Sequence, residues 1–269
     1  MIYQPKGRAR EYSPLAANIY EGCDHGCIYC YVPRILRMDK ETFRLTVRPK
    51  KDIIERLTDQ VSKWKGEKEQ VLLSFTGDPY CQEEMYQAIT RSALPILLEA
   101  GFPVAILTKG GRRCLWELDI FQQYKDQVKV GATLTFIDEK DAEEFEPYSA
   151  RPQNRMEALK ILHDNGIRTW ASFEPVIEPV QTIKLIYETL DYVDEYKIGK
   201  VNQFNDLDKY IPWTTFLQAV VGILRKKEKD FYVKEDLRNQ APDVYLTEKE
   251  SDMNALNMKP EVCQLSLEI

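Results

Sequence analysis

The chain lacks any apolar run long enough to span a bilayer, and this excludes a transmembrane helix. Its opening residues, Met1 to Arg10, are polar and basic without an apolar stretch, so no secretory signal is expected and a cytoplasmic location is. A disulfide scaffold is also missing. The six cysteines, Cys23, Cys27, Cys30, Cys81, Cys114 and Cys263, are too sparse and uneven for the framework of a small secreted domain, and a cytoplasm keeps thiols reduced. There is no internal repeat and no low-complexity segment. With a net charge of −6 the chain is not a strongly basic nucleic-acid binder. What remains is an ordinary globular composition, 43% hydrophobic and 30% charged over 269 residues, and one domain is expected.

The charge is uneven along the chain. Residues 1 to 51 carry 10 Lys/Arg against 5 Asp/Glu, so the acidic excess lies wholly downstream. The basic run Arg34, Arg37, Arg44, Arg48, Lys50 and Lys51 suits the phosphates of a nucleic acid or nucleotide, or forms a solvated face with partners elsewhere.

Three cysteines are gathered in one stretch, Cys23-Asp24-His25-Gly26-Cys27-Ile28-Tyr29-Cys30. Once deprotonated, thiols this close can share one soft metal centre, because thiolates select zinc, copper(I) or iron-sulfur iron. Three ligands are one short of a structural zinc site, whereas an iron-sulfur cluster held by three keeps one iron free to bind something else. His25 offers another completion: as a fourth ligand it would make a zinc-binding interaction module without catalysis.

Around this loop the chain alternates strand and helix. Leu15 to Tyr20 reads as a strand, residues 52 to 64 as a helix with Asp52 at its N-cap, and Val71 to Phe75 as a buried strand. A helix from Glu83 to Ala100, a strand from Pro103 to Thr108 and a helix around Leu115 to Phe121 follow. Val128 to Thr135 and Arg155 to Asn165 form the next pair, Ile167 to Phe173 and Val180 to Tyr192 the fifth, Tyr196 to Val201 and Thr214 to Lys227 the sixth. Phe231-Tyr232-Val233 adds a short strand, and the polar chain from Asp243 reads as a tail packed on the domain or partly mobile.

This order predicts an α/β fold with a parallel sheet, curled into a full or partial (β/α)6 TIM-like barrel, with an open doubly wound sheet as the alternative. The expected organisation is a basic arm over 1–15, a barrel over 16–227 and an extension over 228–269. In a barrel the loops at the strands' carboxyl ends share one face. That face would gather the cysteine loop, the turn Thr76-Gly77-Asp78-Pro79, Lys109, Thr133 and Glu174.

The Cys-x3-Cys-x2-Cys spacing with Tyr29 before the third cysteine, on the loop after the first strand, resembles the radical S-adenosylmethionine (SAM) superfamily. Cys27-Ile28-Tyr29-Cys30-Tyr31, Thr76-Gly77-Asp78-Pro79-Tyr80 and Leu107-Thr108-Lys109 resemble its branch of spore photoproduct lyase and the DNA repair photolyases, over roughly 12 to 205. The resemblance implies a [4Fe-4S] cluster on Cys23, Cys27 and Cys30, and SAM on its open iron. It further implies reductive cleavage of SAM to a 5'-deoxyadenosyl radical that abstracts hydrogen from a substrate, fed by a reductant such as flavodoxin or ferredoxin. By the same likeness Thr76, Gly77 and Asp78 would meet the methionine amine, Tyr29 the adenine, Lys109 and Thr133 other parts of the cofactor, Arg151 and Arg155 its carboxylate, and Glu174 its ribose.

In the lyase a cysteine just upstream of the Thr-x-Asp turn returns hydrogen to the product, and the matching residue here is Phe75. Cys81, Cys114 and Tyr80 are the substitute candidates; each has a plain alternative as a buried structural residue. The expected substrate is a nucleic acid (DNA or RNA) or a nucleotide, with a peptide or small metabolite as the alternative.

Overall fold

A computed structural model describes residues 1–202, 204 and 207–260. Cys263 and the end of the expected tail lie outside the described residues. In chain order the strands are β1 (Ile2–Tyr3), β2 (Leu15–Ala17), β3 (Tyr20–Glu21), β4 (Arg48–Pro49), β5 (Val71–Leu73), β6 (Val104–Thr108), β7 (Val128–Thr133), β8 (Arg168–Val176), β9 (Glu195–Lys200) and β10 (Asp230–Val233). Eight of them form one sheet in the order β1-β2-β5-β6-β7-β8-β9-β10. Every pairing from β2 to β10 is parallel, and β1 joins antiparallel at the edge. The helices Ile53–Ser62, Ile89–Glu99, Leu118–Gln123, Pro152–Asp164, Pro179–Thr189 and Trp213–Lys226 connect successive parallel strands.

Strand order never reverses, so the doubly wound alternative is excluded and the sheet is a partial barrel. It is not closed: β1 and β10 are its two ends. The described residues contain no helix long and apolar enough to cross a membrane.

The two-residue period of each strand sorts its side chains. On the outer face Val71, Leu73, Val104, Ile106, Val128 and Val130 pack against Leu57, Leu94, Leu97 and Phe121 of the helices. Phe173, Tyr196, Ile198 and Phe231 continue this layer against Leu185, Phe216 and Val220. On the inner face Ala16, Leu72 and Ala105 surround Tyr12 and Trp170. Gly131 makes room for that indole, because a Cβ there would lie 2.4 Å from the Trp170 ring.

Charged groups complete the interior. Lys129 pairs with Glu195 at 2.7 Å, and Lys197 donates to the carbonyls of Glu11 and Tyr12 at 2.9 and 3.0 Å. A buried ammonium is tolerable only with such partners. The tail seals the bottom of the barrel: Lys129 also donates to the Leu256 carbonyl, and Gln70 bonds Asn257 at 3.2 Å and the Met258 N–H at 2.9 Å.

Several elements depart from the sequence reading. The first strand stops at Ala17 because the Asn18 side chain leaves the ladder, its Oδ1 accepting from the N–H groups of Phe75 and Thr76 at 2.8 and 3.0 Å. The chain then pairs separately as β3 with β4. The long helix expected from Glu83 is split into Glu84–Gln87 and Ile89–Glu99 at Ala88, which has φ 48°, since the Glu84 carboxylate accepts from the Thr90 and Arg91 N–H groups. Asp52 precedes its helix without a side-chain capping bond. Short helices at Val32–Leu36, Lys40–Leu45 and Glu139–Phe145 went unpredicted, being too brief to show a period.

Candidate active site

At the carboxyl ends of the parallel strands lies a cleft of 470 Å³, and Cys23, Cys27 and Cys30 all line it. The thiols are free and half-buried. The loop carrying them is fixed by its backbone: the Cys23 N–H donates to Phe43 O at 3.1 Å and the Cys30 N–H to Cys27 O at 3.0 Å. Burial pushes all three thiols upward, Cys27 to about 12. A cation bound there would reverse that order by stabilising the thiolates.

The turn after β5 reaches the same cleft through Ser74, Phe75, Thr76, Gly77 and Asp78. Gly77 is needed for close approach, because a Cβ would come within 2.8 Å of the Gly22 carbonyl beside the first cysteine. Asp78 is buried and spends both oxygens on protein donors. Oδ1 accepts from Thr108 Oγ1 at 2.6 Å and the Tyr80 N–H at 2.8 Å, and Oδ2 accepts from the Lys109 N–H at 2.7 Å. His25 Nε2 lies 2.9 Å from Oδ2, and its Nδ1 lies 3.3 Å from Asp24. Burial opposes the Asp78 charge, but His25 and the hydrogen bonds hold its carboxyl well below the usual range. Asp78 thus ties together the three loops that form the cleft.

Lys109, Thr133 and Glu174 also line the cleft. Lys109 Nζ stands 5.4 Å from the Tyr29 ring centre and 4.0 Å from Glu146. Burial lowers its pKa, yet the Cys27 sulfur and Glu146 outweigh this and raise it. Glu174 accepts from Lys234 at 2.7 and 2.9 Å and from the Tyr12 phenol at 2.5 Å.

Glu146 gave no signal in the sequence, where it belongs to an acidic run that reads as solvated. Here it is buried, accepting from Arg155 at 2.5 Å, from Thr135 Oγ1 at 3.1 Å and from the Tyr29 phenol. The same Arg155 donates to Ala150 O at 2.7 Å, Thr133 O at 2.9 Å and Ser149 Oγ at 2.5 Å. It lies beneath the cleft with its Nε and both terminal nitrogens engaged by these internal acceptors. Arg151 is outside the cleft, paired with Glu143 at 3.1 Å. Cys81, Cys114 and Tyr80 are buried in the outer layer and do not line the cleft. His25 is committed to carboxylates; among the described residues its donor atom converges with those of Cys23 and Asp24 within 4.8 Å, and Cys27 and Cys30 stand outside that group.

The family model of the radical SAM superfamily matches residues 17–193, a span that holds the three cysteines, Asp78, Lys109 and Glu174. The chain belongs to the radical SAM superfamily. It is 27% identical over 194 residues to the uncharacterized protein ORF301 of Acidianus two-tailed virus, across 66% of this chain and 61% of that one. To the uncharacterized protein MJ0683 of Methanocaldococcus jannaschii it is 28% identical over 189 residues, 69% of each chain.

Among solved structures, Streptococcus suis SuiB bound to S-adenosylmethionine matches with a TM-score of 0.61 at 14% identity, over 86% of this chain and 53% of SuiB. A spore photoproduct lyase variant matches with a TM-score of 0.63 at 11% identity, over 86% of this chain and 78% of the lyase. These two likenesses are of fold. The chain spans about three fifths of the viral relative and about half of SuiB.

Proposed function

We propose that this chain is a radical SAM enzyme acting on a nucleic acid or nucleotide-like substrate. One observation carries the reading: three unpaired cysteines on a single loop open into the cleft that also receives Lys109 and the turn through Asp78. The donor set fits an iron-sulfur cluster, being all thiol and one short of closure. Cys23, Cys27 and Cys30 would hold a [4Fe-4S] cluster, which together with SAM would supply reductive one-electron cleavage of the sulfonium bond.

The chain's own residues position and protect. Lys109 is the cation placed for the SAM carboxylate, since Arg155 is occupied by four internal acceptors. The Thr76-Gly77-Asp78 turn would meet the methionine amine, Tyr29 the adenine, and Thr133 and Glu174 the ribose, all of them lining the cleft. Phe75, Leu107 and Val201 form apolar wall that excludes water. Six cations line the cleft, Lys6, Arg8, Arg34, Lys109, Lys200 and Lys234, against the carboxylates of Asp78 and Glu174. Arg8, Lys109, Lys200 and Lys234 have acidic partners in Asp236, Glu146, Asp208 and Glu174, so Lys6 and Arg34 are the cations that favour an anionic substrate.

Anaerobic reconstitution tests the chemistry. The expected result is iron and sulfide near four per chain and 5'-deoxyadenosine formed on reduction with SAM. One zinc per chain without iron overturns it and favours a zinc module at Cys23, Asp24 and His25, whose donor atoms lie within 4.8 Å. Fluorescence anisotropy with labelled DNA and RNA at low salt tests the substrate. No binding above that of a charge-matched control would transfer the proposal to a peptide, as in the solved complex of SuiB with its precursor peptide SuiA.

A further inference from the structure

Two residues outside the span shared with the superfamily, residues 17–193, line the cleft beside Glu174: Tyr12 before it and Lys234 after it. Both converge on the same carboxylate. The Tyr12 phenol donates to Glu174 Oε2 at 2.5 Å, and Lys234 Nζ donates to Oε1 at 2.9 Å and Oε2 at 2.7 Å. Lys234 Nζ also stands 4.6 Å from the centre of the Tyr12 ring. Glu174 thus takes its orientation from the two chain segments that flank the shared core.

Those segments meet at one buried residue, Glu11, which is 3% exposed. The sheet leaves a seam between its ends, and the short helix Gly7–Glu11 leads along the β10 side of that seam toward β2. Glu11 Oε1 accepts from the Tyr232 phenol of β10 at 2.7 Å and from the Glu235 N–H just beyond β10 at 2.8 Å, and Oε2 lies 3.5 Å from Lys234 Nζ. Its partners Tyr232 and Glu235 lie 221 and 224 residues along the chain. A buried carboxylate is retained only with such partners. The other side-chain tie of this segment, Arg8 to Asp236, is half-exposed on the arginine and contributes little.

We propose that Glu11 is a positioning residue of the cleft: by docking the amino-terminal segment on β10 it holds Tyr12 and Lys234, and through them Glu174, in the geometry that the cofactor's ribose requires. The inference rests on the radical SAM reading above. Glu11 does not itself line the cleft, so it acts through the residues it holds. Binding groups keep their geometry only when the groups behind them are fixed.

The test compares anaerobically reconstituted wild type with Glu11→Ala and Glu11→Gln, and with Thr169→Val, which removes a buried hydrogen bond to Tyr192 O at the opposite end of β8. Equilibrium dialysis measures SAM affinity. We expect Glu11→Ala to weaken SAM by about fivefold or more, and Glu11→Gln, which keeps an acceptor for Tyr232 and the Glu235 N–H, to recover most of it. Thr169→Val should bind as wild type. In a Glu174→Gln background Glu11→Ala should add no further loss, because residues in one network are not additive. On the metal-free protein, trypsin should cut after Arg8 and Arg10 faster in Glu11→Ala than in wild type or Thr169→Val. Wild-type SAM affinity in Glu11→Ala, an equal loss in Thr169→Val, or additive losses with Glu174→Gln each overturn the proposal. Equal trypsin rates in wild type and Glu11→Ala overturn the docking on which it stands. A wild type that takes up no iron and binds no SAM defeats the radical SAM reading and the cofactor part with it; the trypsin rates, read on the metal-free chain, distinguish that failure from failure of the docking.

Discussion

Glu146 and Arg155 are each 1% exposed and neutralise one another beneath the cleft. Removing one charge from such a pair leaves the other buried alone, which costs about 3–5 kcal/mol. Glu146→Gln should therefore lower the urea midpoint strongly, while Tyr29→Phe, which deletes the phenol's hydrogen bonds with Glu146 and Thr135, should cost about 1–3 kcal/mol. Burial opposes the Glu146 charge, but Arg155 and Lys109 prevail and depress its pKa. Its stabilisation is thus complete above the ordinary carboxyl range and lost as pH falls through the depressed value.

Glu117 behaves oppositely. Burial first, and Glu84 second, raise it to about 7. A carboxyl with a raised native pKa binds more protons folded than unfolded, so stability falls as pH rises from about 4.3 to 7. Glu117→Gln should flatten that decline and gain roughly 1–3 kcal/mol at pH above 7, read from urea midpoints across the range.

At the scale of elements, two glycines hold segments together. A Cβ on Gly131 would enter the Trp170 ring, so Gly131→Ala should destabilise by about 1–3 kcal/mol through overpacking inside the sheet. A Cβ on Gly77 would meet the Gly22 carbonyl. Gly77→Ala should separate the turn from the cysteine loop and weaken SAM binding by about tenfold or more, measured by equilibrium dialysis, with a loss of stability of about 1–3 kcal/mol because the clash is with backbone. The helix ends were readable where glycine stops them, as at Gly101 and Gly166, both with positive φ. The breaks at Asn18 and Ala88 were not, because each depends on a side chain bonding to backbone distant in sequence or across a turn.

Across the whole molecule the barrel encloses charge from end to end, and the tail closes its lower mouth. Truncation after Asn254 would remove the acceptor of Lys129 at Leu256 and two partners of Gln70, Asn257 and the Met258 N–H. A loss of roughly 2–4 kcal/mol is expected, with the buried ammonium only partly compensated by Glu195; differential scanning calorimetry reads it.

The amino-acid sequence alone determined the strand and helix order, hence the parallel sheet, and it determined the cysteine loop and the turn that meets it. Those features are local: hydrophobic period, glycine stops and ligand spacing are written in consecutive residues. The tertiary structure alone decided that Glu146, Arg155, Lys129 and Lys197 are buried, that Asp78 binds three loops, and that Cys81, Cys114 and Tyr80 face away from the cleft. The reason is physical: a charged residue within a strand or an acidic run carries no sign of the partner that permits its burial, because that partner arrives from a distant element when the sheet curls.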